Sequence, residues 1–207
     1  AGHTTDLEIY QGATYGNASI MMMLDNSGSM NTNSISADYP SVTFKTTGNK
    51  DTITQIIYND AGGATTTSKT YEVNYSTDRS GKKYYDRMSR LKMALIPLFA
   101  NPKSNEGFGP DVDISKYNIG IGNFFYRNGD KGGGKIDSPI ISLTLENRKK
   151  LINNIIDLRP STNTPIANAY AEAGAYMLGN RAYALSSKTE EYNNLVGYST
   201  RQYNNKK

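Results

Sequence analysis

The residues best suited to chemistry in this 207-residue chain sit in one short run. Asp25, Ser27 and Ser29 form Asp-x-Ser-x-Ser directly after the apolar stretch from Ala18 to Leu24. A carboxylate and two hydroxyls at the end of a strand converge as hard oxygen donors. Mg²⁺ takes six such donors near ~2.1 Å and usually keeps several waters among them. With one carboxylate and neutral hydroxyls, a divalent cation stays under-neutralised and draws an anionic oxygen from outside. The competing reading is a strand-to-helix turn whose Asp and Ser side chains accept from backbone amides. Two features favour the metal. The preceding strand is of the buried parallel kind, and a second hydroxyl-rich loop, Ser161-Thr162-Asn163-Thr164-Pro165, also precedes a helix and could face the first. Thr164 stays open between two roles, metal ligand and N-cap of a helix whose first residue is Pro165.

The elements that must position these residues follow from patterning. Apolar side chains at consecutive positions from Ile20 to Leu24 cannot share one face of a strand. The run predicts a central strand covered by helices on both sides. Asp25-Asn26-Ser27-Gly28-Ser29 stops it too early for a buried helix. Residues 31–85 are rich in Thr, Ser, Asn and Tyr, with alternating stretches at Ser41–Lys45 and Thr70–Tyr75. They predict short surface β-hairpins punctuated by Gly62-Gly63 and Ser80-Gly81. The tyrosines here (among them Tyr39, Tyr71, Tyr84 and Tyr85) suit a binding surface or simply a strand. Met88, Leu91, Leu95 and Leu98 predict a helix over 86–100, with Pro97 kinking or ending its last turn.

A second strand is expected from Tyr117 to Tyr126, where Gly120 and Gly122 imply that something packs close to the backbone. The glycine-rich stretch 128–134 reads as a hairpin tip, because it lacks the Gly-Lys-Ser/Thr ending of a phosphate loop. A third, antiparallel strand follows over Pro139–Leu145. Helices are expected at Glu146–Leu158 and Ile166–Leu178, the second packing closely through Ala167, Ala171, Gly174 and Ala175. Residues 1–16 are polar and unpatterned, and 186–207 read as a flexible tail. The order strand, helix, strand, strand, helix, helix is α/β. A strand as apolar as Ile20–Leu24 needs a neighbour on each side, and the chain supplies only one. The sequence therefore reads as the N-terminal half of a larger sheet.

Composition narrows the functions. There is no Cys, hence no disulfide, thiolate zinc site or cysteine nucleophile. The single histidine, His3, stands in the unpatterned N-terminal stretch, which argues against a Ser-His-Asp triad and a multi-histidine metal site. A phosphotransferase using Asp25 would want a second Asp at position 27, which is Ser. Catalysis is not expected. The net charge of +4 is spread without a basic stripe, so no nucleic-acid partner is expected. No apolar run reaches the length of a transmembrane segment. Asp111 and Asp113 lack the regular spacing of a calcium loop. The chain starts at Ala1 rather than Met, as expected of a processed or excised piece, and shows no signal peptide.

The run Leu24-Asp25-Asn26-Ser27-Gly28-Ser29-Met30 resembles the metal-ion-dependent adhesion site (MIDAS) of von Willebrand factor A (vWA) domains. Asn163-Thr164-Pro165-Ile166-Ala167-Asn168-Ala169 resembles their second loop, and Asn118–Phe125 their second strand. The resemblance covers 18–30 and 86–178, with 31–85 as an insertion. Within vWA domains, the chain is most similar to the N-terminal region of the PilC/PilY family. These are type IV pilus-associated adhesins of Gram-negative bacteria. The resemblance implies a Rossmann-like α/β open sheet with helices on both faces, forming a single partial vWA-like domain over 1–207 with a β-rich insertion. It implies that Ser27 and Ser29 bind Mg²⁺ (or Mn²⁺ or Ca²⁺) directly, Asp25 directly or through water, and Thr164 in either way. Asn26 and Gly28 would shape the loop.

The chain departs from the family in lacking, after Leu178, the last metal-site Asp (usually within Thr-Asp-Gly) and the C-terminal strands of the sheet. Implied partners are a host-cell or extracellular-matrix ligand bearing an acidic residue, pilus subunits or minor pilins, and the remaining C-terminal part of the same protein. The implied location is extracellular, at the bacterial surface or pilus tip and associated with the outer membrane. Two functions follow as expectations, a metal-dependent adhesion module and a structural scaffold that docks pilus components around a non-essential metal site.

Overall fold

A computed structural model describes residues 18–59, 65–102, 114–125, 133–161 and 163–178. His3 and the N-terminal stretch, the Asp111/Asp113 loop, the glycine turn over 128–132, Thr162 and the tail after Leu178 lie outside the described residues. Within them the chain is a mixed α/β protein with two three-stranded sheets and four α-helices. No helix among them is long and apolar enough to cross a membrane.

The first sheet carries the Asp-x-Ser-x-Ser run. β1 (Ser19–Leu24) lies parallel to β5 (Asn118–Phe125), in register from Ser19↔Asn118 to Leu24↔Asn123. β6 (Gly133–Ser142) runs antiparallel on the other side of β5. β5 is thus the middle strand, and β1, expected to be central, is an edge among the described residues. Among the described residues β1 has one neighbour, and Ile20 is 39% exposed. The glycines of β5 are required by close approach. A Cβ on Gly120 would lie 2.6 Å from Met21 Cε and 2.9 Å from Ile140 N. One on Gly122 would lie 2.5 Å from Lys135 O.

β6 begins earlier than the sequence predicts, at Gly133, because two glycines of the supposed hairpin tip are strand. A Cβ on Gly134 would come within 2.9 Å of Ala169 Cα, so glycine here admits a helix onto the sheet. Ile119 pairs with Ile141 and Ile121 with Ser138, which leaves Pro139 and Ile140 opposite Gly120 alone. This is a bulge, where the missing N–H of proline costs no ladder bond. The Ile140 amide freed there donates to Tyr176 Oη at 2.8 Å.

Residues 31–85 differ most from expectation. In place of several short hairpins there is a short helix α1 (Ser34–Asp38), one long hairpin of β2 (Phe44–Tyr58) and β3 (Thr65–Asp78), and a short β4 (Lys83–Tyr85) beside β3. The hairpin is not merely surface. Ile57, Tyr71 and Val73 are buried in the main core, because alternate positions of both strands face the next helix. That helix, α2 (Arg87–Ala100), is capped by Asp86, which accepts from Ser89 N at 2.6 Å. It runs three residues past Pro97, which sits in its last turn. α3 (Leu145–Asp157) starts at the Thr144 cap and packs Leu151, Ile152 and Ile155 against α2 and the sheet.

α4 (Ile166–Met177) covers the other face of the sheet, where Tyr176 and Ile136 pack with Met21, Met23 and Ile140. The alternation of Met21 and Met23 against Met22 and Leu24 thus feeds two cores, as a strand covered on both faces requires. The packed face of α4 is Ala169, Glu172, Ala173 and Tyr176, not the expected Ala167, Ala171, Gly174 and Ala175. The step of three and four residues is kept but its phase differs, since Gly134 receives Ala169. Ile166, Tyr170 and Leu178 are left exposed on the outside.

Candidate metal centre

The end of β1 delivers the Asp25 loop to the carboxyl edge of the sheet, where ligands collect in open α/β folds. Leu24 is buried and anchors the strand. The loop then folds on itself. The Asp25 carboxylate accepts from Ser27 N at 2.7 Å, and Met30 N donates to Ser27 O at 3.0 Å, opening a short 3₁₀ turn over Gly28–Met30. This brings Ser27 Oγ within 3.1 Å of Ser29 Oγ. Ser27 is buried, Asp25 half-buried and Ser29 exposed, so the three oxygens grade from the interior to solvent. The turn reading and the donor-cluster reading therefore coexist. The hydrogen bond from Ser27 N to the Asp25 carboxylate satisfies the backbone, and the two hydroxyls stand side by side in the same turn.

The second loop reaches the first through the backbone. Ser161 N donates to Asn26 O at 3.0 Å. Thr164 lies three residues further on and exposed, and no hydrogen bond joins it to Asp25, Ser27 or Ser29. Nor does it cap the helix as the sequence suggested. Pro165 occupies the N-cap without a side-chain bond, and Thr164 contributes only its carbonyl, which accepts from Ile166 N at 2.9 Å. The Thr164 hydroxyl is therefore not committed to the helix. Asn26, between Asp25 and Ser27, is buried, and its Oδ1 has no hydrogen-bond partner. Unsatisfied buried oxygens are costly and call for a donor or a cation. Asn26 and Ser161 border a cavity of about 480 Å³ at the carboxyl ends of β1 and β5. Asp137, on its rim, is already matched by Asn123 Nδ2 and Lys135 Nζ, each at 2.6 Å.

The donor set fits a hard cation bound through few charges. Among the described residues there is no cluster of three His, Cys, Asp or Glu, so a site here rests on hydroxyls and one carboxylate. Positive charge also stands nearby. Arg87 grips Asp38 through Nε at 3.0 Å and Nη2 at 2.5 Å, and Arg90 pairs with the same carboxylate. The Arg87 hydrogen bond holds the Asp38 carboxyl below its ordinary range. Arg87 is pushed up by Asp38 first and, more weakly, by Asp25. Arg87 is therefore engaged chiefly by Asp38.

Sequence reading missed Asp38 and Arg87, and also Lys92 and Arg148, which donate to carbonyls in the last turns of α3 and α2 respectively. None carries a local motif. The one available signal was negative, since neither α2 nor α3 ends on glycine, and their last carbonyls had to find other donors. Comparison of the chain with family models, with curated proteins and with solved structures finds no match.

Proposed function

We propose that this chain is a vWA-like, metal-dependent adhesion module of a type IV pilus-associated surface protein of the PilC/PilY kind, displayed outside a bacterial cell. The observation that carries the reading is the pair of hydroxyls, Ser27 Oγ and Ser29 Oγ, 3.1 Å apart beside the Asp25 carboxylate at the end of a parallel strand. Asp25, Ser27 and Ser29 would hold Mg²⁺, or Mn²⁺ or Ca²⁺ in its place, with Thr164 joining from the second loop. The bound ion supplies a Lewis-acid position for an acidic side chain of a host or matrix protein. The chain's own residues do the remaining work. Asp25 fixes the loop through Ser27 N, Ser27 presents its hydroxyl from a buried position, and the Ser161–Asn26 bond keeps the second loop alongside. No base is needed, because the reading involves no bond cleavage.

Immobilised ligand protein bearing an accessible Asp or Glu tests this reading. Binding is expected with Mg²⁺ and lost with chelator or in Asp25→Ala. Binding that survives both changes undiminished rules it out. A second reading, a scaffold that docks pilus components or the C-terminal remainder of the same protein, is favoured by one observation. The edge of β1, open among the described residues, and the exposed apolar side chains of α4 (Ile166, Tyr170 and Met177) would both be covered by docking. In that case Asp25→Ala lowers stability or piliation and leaves ligand affinity unchanged.

A further inference from the structure

The last turn of α3 ends on a carbonyl that two cations reach. Lys92, on α2 and only 5% exposed, donates from Nζ to Ile156 O at 2.7 Å. Arg159 donates from Nη1 to the same oxygen at 2.6 Å and to Leu158 O at 2.9 Å. The negative end of the helix dipole accounts for one cation here. It does not account for two, which repel when held within about 5 Å of each other. Among the described residues neither Lys92 nor Arg159 has a salt bridge. Burial, and then the Arg159 charge, push the Lys92 ammonium down to about 8.

Both side chains line a cavity of about 500 Å³ bounded by the β2–β3 hairpin, α2 and residues 158–160. That is the size of small-molecule pockets. Lys50 is a third cation in its wall, and the one carboxylate there, Glu72, is matched by Lys50 at 3.1 Å. Asp86 and Asp157 also bear on Lys92, more weakly. Asp86 is committed to Ser89 N and Asn74 Nδ2, and Asp157 is the last residue of α3. The cavity is therefore net positive, with N–H donors to spare on Lys92 and Arg159, while Tyr71 and Met88 give it an apolar side.

We propose that this cavity binds a small molecule through an anionic oxygen group, carboxylate or phosphate, seated between Lys92 and Arg159. The anion supplies the counter-charge that the fold omits, and the apolar side accepts the rest of the molecule. The proposal is independent of the metal reading.

Inorganic phosphate is the probe, compared with sodium chloride at equal ionic strength. The melting temperature rises by about 3–6 °C at roughly ten times the phosphate dissociation constant. Lys92→Met and Arg159→Gln each weaken phosphate binding about tenfold or more. Lys150→Met, which removes an equal charge from an exposed position of α3, leaves binding within about twofold. In the unaltered chain, saturating phosphate moves the Lys92 titration upward from about 8, read by nitrogen-15 NMR of the ammonium group. Equal melting temperatures in phosphate and chloride overturn the proposal, and so does a response that both cavity variants leave intact. A Lys92 titration unmoved by phosphate overturns it without any variant.

Discussion

Replacing Arg148 by Met tests how the described fold is held together. Arg148 is fully buried on α3. Its guanidinium donates from Nε to Leu143 O at 3.2 Å and from Nη1 to Phe99 O at 3.0 Å and Ala100 O at 3.1 Å. Nη2 donates to Tyr58 O at 2.7 Å. Phe99 and Ala100 close α2, whose last carbonyls have no partner within the helix. Tyr58 ends β2, so one side chain joins hairpin, helix end and sheet connection. Methionine fills similar space but leaves these four acceptors without that donor, each at a cost of about 1–3 kcal/mol if no other donor or water reaches it.

Part of that loss is offset, because the charged group no longer has to be desolvated. The expected net loss is about 3–5 kcal/mol, a large part of a typical domain's stability. Urea unfolding should show it as a lower midpoint at unchanged slope, with a melting temperature roughly 8–15 °C lower. Arg148→Lys keeps the charge, but its three donors share one nitrogen and cannot serve carbonyls on three sides, so it should recover less than half. A loss below about 1 kcal/mol for Arg148→Met would refute the reasoning, because desolvation would then cancel the four bonds.

Lys92 gives the stability a pH signature. Its folded pKa of about 8 lies below the ordinary 10.5, so between these values the unfolded chain holds more protons and stability rises with pH. The full shift corresponds to about 3 kcal/mol, reduced by screening at the cavity to roughly 1–2 kcal/mol. Relative to Lys92→Met, the unaltered chain should gain that much between pH 7 and pH 10.5 in urea titrations, and a flat difference contradicts the burial argument. Gly122→Ala should cost about 1–3 kcal/mol, since its Cβ would stand 2.5 Å from the Lys135 carbonyl of the neighbouring strand. A neutral result in thermal unfolding shows that β5 and β6 can part freely. Arg87→Gln removes a positive charge close to the Asp25 loop and should tighten Mg²⁺ binding modestly, by up to about twofold, in calorimetry. Weaker binding contradicts the electrostatic picture.

The elements were legible where burial repeats at a fixed step. Ser19–Leu24, Asn118–Phe125 and Leu145–Asp157 lie within a residue or so of their predicted spans, because apolar runs bounded by Asp25-Asn26 or Thr144 leave little freedom. The close approach at Gly120 and Gly122 was readable for the same reason. The long hairpin was not. Alternation in 41–45 and 70–75 marks strands but does not say how far they pair, and pairing is decided by what the inner face meets, here α2. The phase of α4 was lost because alanines surround that helix, and only the gap at Gly134 selects Ala169. In the site, Asp25, Ser27 and Ser29 form a contiguous motif and meet as local spacing dictates. Thr164 depends on a contact between two loops, and the Ser161–Asn26 bond that makes it involves main-chain atoms, which side-chain identity cannot reveal. Asp38 with Arg87, and Arg148 with the Phe99, Ala100 and Tyr58 carbonyls, join residues 48 to 90 positions apart, where no local pattern reaches.

Calorimetric titration of the chain with Mg²⁺, run in parallel on Asp25→Asn and on Ser27→Ala/Ser29→Ala, addresses the metal centre most directly. The account predicts saturable one-to-one binding in the unaltered chain, a loss of about tenfold or more in each variant, and melting temperatures of the variants that stay close to the parent. Mg²⁺ binding of equal strength in all three proteins, or none in the folded parent, would contradict it.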